Sequence, residues 1–249
     1  MKKWSIALVL LFCGMYLFAQ SLFDLVKTGT PEQVQAAIKA GANVNDRDMF
    51  GRTLLMYAAE YNENPAVITT LLNAGAKLDD RDEDGWTPFM RAAAFNENPA
   101  VITTLLNAGA KLDYRDEDGW TPFMYAARYN ENPDVIRTLL NAGAKLDDRD
   151  EHGQTPLMLA AWFNKNHDVI KILLNAGANV NDRDTFGMTP LMYAASGNEN
   201  PDVITVLLNA GADAKAKSNE GKTAFDYAQD NPKIKGTKAY RDLNKALFR

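Results

Sequence analysis

Residues 85–118 read GWTPFMRAAAFNENPAVITTLLNAGAKLDYRDED, and residues 119–150 begin the same text again as GWTPFMYAARYNENPDVIRTLLNAGAKLDDRD. The glycines that open these units recur every 34 residues, at Gly51, Gly85, Gly119, Gly153, Gly187 and Gly221. A fixed period of this length is typical of stacked repeats, in which each unit buries its apolar side against its neighbours. The sequence therefore predicts a modular surface suited to binding, with no single cleft dictated by the fold.

Each unit carries the signals for two helices and a loop. Thr87-Pro88 and Asn98-Pro99 each supply a capping side chain followed by a proline, which suits the first helical position. Apolar residues such as Leu105 recur at helical spacing in the second segment, and Gly109 is suited to end that helix. Residues 110–119 are too polar and turn-rich for a helix and predict a hairpin-like loop that leads into the next unit.

The recurring pattern D-x-x-G-x-T-P-L/F-M-x-A-A, followed by V-I-x-x-L-L-N-A-G-A, resembles the ankyrin repeat. The resemblance implies an all-α ankyrin-repeat solenoid of about seven helix–turn–helix units, two of them caps, joined by projecting β-hairpin-like loops. It implies a repeat domain over residues 20–249. That domain would comprise an N-terminal capping repeat at 20–51, five internal repeats at 52–221 and a C-terminal capping repeat at 222–249.

Two departures from the family pattern bear on the loops and on the core. The period is one residue longer than is usual in the family, and the extra residue falls in the N-E-N-P link between the two helices. The histidine that usually follows T-P-L and braces the loops is replaced in all five internal units. The replacing residues are Met56, Met90, Met124, Met158 and Met192. We expect apolar packing to take the place of that polar bracing.

The N-terminus predicts export. Lys2 and Lys3 precede an apolar run that ends at Ala19, which is the pattern of a secretory signal peptide at residues 1–19. A retained membrane anchor is one alternative, although the run is short for a span of about 20 residues. A lipid anchor on Cys13 is another. Cys13 is the only cysteine, so a chain without this segment has no disulfide, thiolate nucleophile or cysteine-based zinc site.

Charge and motif content argue against nucleic-acid binding and catalysis. The formal net charge of −5 becomes −7 without Lys2 and Lys3, and an acidic chain without a basic block is poorly suited to nucleic acid. Residues 80–85 match the opening of an EF-hand loop, but its twelfth position is Arg91, a cation. We find no catalytic constellation or phosphate-cradling glycine loop, and the sequence implies neither an enzyme nor a cofactor or metal.

Large rings and arginines mark the candidate partner-binding residues. They fall mainly at the position before Thr and at the end of the first helix, which in the ankyrin repeat family line the concave face that usually meets partners. The candidate residues are Tyr61, Trp86, Arg91, Phe95, Trp120, Arg128, Tyr129, Trp162 and Phe163. Trp, Tyr and Arg dominate interface energetics. The alternative is that the rings pack between neighbouring units, and for Tyr57 and Tyr125 the sequence leaves both interpretations equally open.

These observations predict a monomeric, periplasmic or secreted protein that binds another protein through a concave, aromatic-rich and acid-rimmed face. We expect no nucleic-acid partner and no stable membrane span once the signal segment is removed. An alternative from a different class is a capture module for a glycan or another small ligand, because stacked rings also suit sugars. The sequence does not identify the partner.

Overall fold

The structure is a computed structural model that describes residues 22–248. The predicted signal peptide at residues 1–19 and Cys13 lie outside this range. Within it, helices follow one another in seven consecutive pairs, as predicted for five internal repeats and two caps. The helices are α1 (described over residues 22–28), α2 (Pro31–Lys39), α3 (Leu54–Tyr61), α4 (Pro65–Asn73), α5 (Pro88–Phe95), α6 (Pro99–Asn107), α7 (Pro122–Tyr129), α8 (Pro133–Asn141), α9 (Pro156–Phe163), α10 (His167–Asn175), α11 (Pro190–Gly197), α12 (Pro201–Asn209), α13 (Ala224–Ala228) and α14 (Lys238–Ala246).

The helices begin and end at the residues that the sequence indicated. The Thr121 hydroxyl accepts a hydrogen bond from the Met124 N–H at 3.3 Å and caps α7. Asn132 Oδ1 accepts from the Asp134 N–H at 2.9 Å and caps α8. Beyond α8, Gly143 has a φ of +96°, a left-handed conformation that favours glycine because it has no Cβ.

The loops between repeats are tight turns stabilised by backbone hydrogen bonds, as the predicted hairpin-like geometry requires. The Gly119 N–H donates to the Asp116 carbonyl at 3.2 Å, and the Asp116 N–H donates to the Trp120 carbonyl at 3.2 Å. Successive loops are also joined, for example through the Thr185 N–H and the His152 carbonyl at 3.0 Å. Over residues 22–248 no loop forms a regular strand, and one isolated antiparallel bridge joins residues 47 and 53.

The chain forms two compact units. The first comprises the chain up to Ala92 together with Ala100–Lys111. In this unit α4 packs against both α2 and α3. Its largest fully buried side chains are Leu54, Leu55, Met56, Ile68, Leu71, Phe89, Met90, Ile102 and Leu105. The core of this unit therefore combines the apolar face predicted for the second helices with buried residues of the first helices.

The second unit comprises Ala93–Pro99 and the chain from Leu112 onward. Its first helices, α7, α9, α11 and α13, pack in succession, and so do its second helices, α8, α10, α12 and α14. The largest fully buried side chains of this unit are Phe123, Met124 and Ile136, on α7 and α8. The five methionines that replace the family's histidine are all buried, which agrees with the apolar packing expected from the sequence.

Within each compact unit, buried asparagines join neighbouring repeats in a ladder. In Asn164, Nδ2 donates to the carbonyls of Ala127 at 3.1 Å and Asn130 at 2.9 Å, and Oδ1 accepts from the Asn166 N–H at 2.9 Å. The same pattern recurs at Asn130, Asn198 and Asn231 in the second unit and at Asn62 in the first. In the link at residues 164–166, Asn164 pairs buried carbonyls of the preceding repeat, whereas Asn166 caps α10 and donates an exposed hydrogen bond to the Glu131 carbonyl at 2.8 Å.

We predict that Asn164→Ala lowers the free energy of unfolding by about 3 kcal/mol. The substitution leaves two buried carbonyls without their donor, and each such loss costs about 1–3 kcal/mol. Asn166→Ala removes the cap of α10 and a hydrogen bond to the exposed Glu131 carbonyl, and should cost only about 1 kcal/mol because water can replace the exposed bond. Urea unfolding of the two variants beside the unsubstituted chain measures the difference. Equal losses from the two substitutions would contradict a special role for the ladder.

Candidate functional site

An aspartate organises each inter-repeat loop. One carboxylate oxygen of Asp82 accepts the N–H groups of Asp84 at 3.1 Å and Trp86 at 2.9 Å, which fixes the turn. The equivalent oxygen is used in the same way in the other internal repeats, at Asp48, Asp116, Asp150 and Asp184. These aspartates are loop-forming residues, as the family resemblance implies.

The second oxygen of the loop aspartate anchors the loop to the first helix, through the residue nine positions later. The Tyr57 hydroxyl donates to Asp48 Oδ2 at 2.7 Å, and the Tyr193 hydroxyl donates to Asp184 Oδ2 at 2.5 Å. Tyr125 donates to Asp116 in the same way. Burial raises the pKa of Tyr125 and of Tyr193, and the bond to aspartate raises each further, so both phenols are neutral donors at physiological pH.

The loop at Asp150 lacks this anchor because the residue nine positions after Asp150 is Leu159, which cannot donate a hydrogen bond. Asp150 is only 8% exposed, and its Oδ2 is buried without a hydrogen-bond partner among residues 22–248. An unpaired buried carboxylate oxygen is costly and therefore uncommon. Asp150 was not among the binding residues predicted from the sequence. The signal was a leucine in a position otherwise held by tyrosine or arginine, with the aspartate retained.

A cluster of rings is exposed in the second compact unit. Phe95 and Tyr129, both 41% exposed, lie with their ring centroids 5.5 Å apart. The Arg128 guanidinium stacks on Phe163 at 3.7 Å from the ring centroid, and its centre is 4.8 Å from the Tyr129 ring. Trp162 continues the series, with its ring 4.6 Å from Phe163. We call Phe95, Trp120, Arg128, Tyr129, Trp162 and Phe163 the ring cluster.

The two tryptophans of the ring cluster are half-buried, so each also contributes to packing within the fold. The Trp120 ring lies 5.1 Å from Tyr125, and the Trp162 ring lies 4.9 Å from Tyr193. Trp162 also covers Gly197, the residue that occupies the ring position at the end of α11. A Cβ added to Gly197 would lie 2.1 Å from Trp162 Nε1. Glycine at this position leaves the space that the indole fills.

The candidates Tyr61, Trp86 and Arg91 of the first compact unit differ in their exposure to solvent. Tyr61 is 50% exposed, and a hydrogen bond to Glu60 raises its pKa to about 12. Trp86 is half-buried, and the Arg91 guanidinium stacks over it at 4.6 Å. Arg91 is only 5% exposed, and it pairs with Asp82 at 2.5 Å and with Glu60 at 3.4 Å.

The expectation that Arg91 contacts a partner does not fit this burial. Arg91 occupies the ninth position after a loop aspartate, where three of the other four internal repeats have a tyrosine. The guanidinium therefore anchors a loop in place of a phenol. Tyr125 likewise acts in the fold, since it is buried against its aspartate, whereas Tyr57 is half-buried.

A pocket of about 430 Å³ lies beside the ring cluster within the second unit. Its lining residues are Asp118, Trp120, Arg128, Asp150, Glu151, His152, Gln154, Trp162, Phe186 and Tyr193. The lining includes three carboxylates, of Asp118, Asp150 and Glu151, and one guanidinium, of Arg128. Most of the other lining side chains are aromatic. The His152 and Phe186 rings, 5.8 Å apart, lie at loop tips. This combination of acids and ring faces is chemically suited to a cation.

The part of the chain that the structure describes contains no grouping of three or more His, Cys, Asp or Glu side chains placed to hold a metal ion. Nor does any helix within residues 22–248 have the length and apolar character needed to cross a membrane.

Comparison with known proteins identifies the repeats. The family profile described as "Ankyrin repeats (3 copies)" matches residues 22–116 and 89–184, and "Ankyrin repeats (many copies)" matches residues 173–228. A search of curated proteins found no match. Among solved structures, the chain is similar to the human ASB11 ankyrin repeat domain. The two share 27% identity with a TM-score of 0.77, over 90% of this chain and 96% of that one.

We predict that Gly197→Ala does not give the stability gain of about 1 kcal/mol expected when alanine replaces glycine in a helix. The new methyl group collides with the Trp162 indole, which has to move. In a Trp162→Ala background the collision is absent, and Gly197→Ala should then stabilise the chain. Thermal unfolding of the four chains of this double-mutant cycle measures the coupling. An equal gain in both backgrounds would show that Trp162 does not cover Gly197.

Proposed function

Because this chain belongs to the ankyrin repeat family, whose repeats are in general protein–protein interaction modules, we propose that it binds a partner protein through the ring cluster, in an extracytoplasmic compartment. The single observation that carries the proposal is the contiguous surface formed by the exposed rings of Phe95 and Tyr129 and the half-buried Arg128 and Phe163. Trp120 and Tyr129 also occupy the repeat positions that usually meet partners in this family.

The physical argument rests on the apolar area that these side chains expose to water and on the entropy lost when they are buried. Two large rings, each two-fifths exposed and in contact with one another, form an apolar patch that a partner would cover. Arg128 is already held against three ring faces, so little conformational entropy remains to be lost when it is buried. Tyr, Trp and Arg are the types that contribute most to interface affinity.

We expect Phe95→Ser combined with Tyr129→Ser to abolish partner capture while leaving the fold nearly unchanged. Surface substitutions usually shift stability by about 0.5 kcal/mol or less each, whereas loss of an interface hot spot costs about 2 kcal/mol or more, roughly thirtyfold in Kd. Trp120→Ser should lower both stability and binding because that ring is half-buried. The assay is affinity capture from an envelope extract, paired with a melting curve of each variant.

A matched control is Phe50→Ser, which removes a ring that is 53% exposed on a loop outside the ring cluster. It should leave capture intact. Soluble sugars added as competitors should also leave capture intact, since the proposed partner is a protein. A double variant that loses binding only in proportion to its unfolding would show that the rings hold the fold together and do not form the interface.

The proposed location rests on the N-terminal residues alone, that is, on Lys2, Lys3 and the apolar run to Ala19. We predict a mature N-terminus at Gln20 in protein recovered outside the cytosol, measured by intact mass and N-terminal sequencing. Leu10→Asp, which interrupts the apolar run, should leave the precursor in the cytosol. A soluble cytosolic species that retains Met1 in the unsubstituted chain would overturn the export proposal.

A further inference from the structure

The second carboxylate oxygen of a loop aspartate usually accepts a hydrogen bond from a side chain of the first helix. In four internal repeats that oxygen receives a hydrogen bond from the residue nine positions later, three times from a tyrosine and once from an arginine. Asp150 is the exception within the described part of the chain, because Leu159 offers no donor and Oδ2 has no partner. Its other oxygen still accepts the N–H groups of His152 and Gln154. The loop therefore has the same turn as in the other repeats, but Asp150 Oδ2 lacks a hydrogen-bond partner.

Arg91 shows how a cation fits this position. Its guanidinium donates to Asp82 Oδ2 at 2.5 Å and lies 4.6 Å from the Trp86 ring centre, between a carboxylate and an indole. At Asp150 the chain supplies neither the arginine nor the adjoining tryptophan, since Leu159 and Gln154 stand in their places. The 430 Å³ pocket to which Asp150 contributes is instead lined by Trp120 and Trp162. An indole and a carboxylate thus meet again, but no hydrogen-bond donor is paired with the free carboxylate oxygen.

Arg128, which also lines this pocket, does not neutralise Asp150. Its guanidinium lies over the rings of Phe163, Tyr129 and Trp120, and it gives no hydrogen bond to Asp150 Oδ2. Its Nε is also buried without a hydrogen-bond partner among residues 22–248. The rings of this surface therefore already hold one guanidinium by cation–π contact. The excess of negative charge at the pocket remains, because three carboxylates line it.

We propose that this pocket receives a basic side chain, lysine or arginine, from the partner protein, and that its cation pairs with Asp150 as Arg91 pairs with Asp82. The proposal rests on the proposed function, since it names the chemistry of one contact with the partner. Oδ2 is shielded from solvent, so the lining side chains must move aside as the cation enters. The resulting ion pair forms at low effective dielectric and contributes more than an exposed pair.

The test uses three capped tripeptides as probes, with lysine, arginine or norleucine between two glycines. Norleucine has an unbranched aliphatic side chain like that of lysine without the charge. The readout is the indole N–H signals of Trp120 and Trp162 in NMR spectra of the full chain, with Trp86 as the reference outside the pocket. We expect the lysine and arginine peptides to shift both signals in a saturable manner and norleucine to shift neither. The stronger of the two basic probes identifies the preferred cation.

Two variants locate the binding at Asp150. Asp150→Asn should weaken the basic peptides about tenfold, the size expected for one charge-assisted hydrogen bond. Leu159→Tyr supplies the internal donor found in three other repeats and should also remove binding. Glu117→Gln, which removes one exposed carboxylate from the neighbouring loop, is the control of equal charge change and should bind as the unsubstituted chain does.

Melting curves give an independent readout. Asp150→Asn should melt no lower than the unsubstituted chain because it removes an unpaired buried charge, whereas Asp184→Asn should melt lower because it disturbs a satisfied pair. Equal shifts from lysine and norleucine, or unchanged peptide binding in Asp150→Asn, would overturn the inference. If partner capture still depends on Phe95 and Tyr129 in that case, the proposed function stands and only the cation pocket is wrong.

Discussion

The buried asparagine at the end of each first helix is the constraint on which the rest of this structure depends. Its amide satisfies two buried carbonyls of the preceding repeat and one half-buried N–H of its own link, so one side chain pairs three polar groups. A hydrophobic face alone would let neighbouring repeats slide, because apolar burial is not directional. Paired amides at fixed spacing set the register of one repeat against the next, and the apolar layers then pack in that register.

Because the register is fixed, equivalent residues of successive repeats lie in the same backbone surroundings. We call such a set of equivalent residues a column. The loop aspartates form one such column, and the residues nine positions later form a second column that pairs with it. The residues at the end of the first helix form a third. A substitution in a column therefore acts locally and has a visible consequence. Leu159 leaves Asp150 unpaired, and Gly197 leaves room for Trp162. The candidate site arises where these two departures fall in neighbouring repeats.

Much of the fold could be predicted from the sequence because its signals are local. Thr121 and Asn132 cap helices through their own following N–H groups, and Gly143 adopts the left-handed conformation that ends α8. The site was less predictable because its contacts join residues far apart in sequence. Arg91 looked like a surface cation until its pairing with Glu60, 31 residues away, was visible. The indole of Trp162 could pack inward only because residue 197 is glycine, and helical periodicity does not show that relation.

An unpaired buried carboxylate lowers the stability of its own repeat, and a repeat protein can tolerate such a local loss. In a repeat protein, stability is approximately a sum of contributions from each repeat and its interfaces with neighbours, so a penalty in one repeat is not multiplied along the chain. The loop at Asp150 keeps its backbone hydrogen bonds, and Asn164 keeps the ladder intact in the same repeat. The polar atom that remains unsatisfied lies beside the exposed rings, where an incoming group can reach the pocket. A partner that pairs with this atom would recover the penalty on binding, which favours the bound state without any change in the neighbouring repeats.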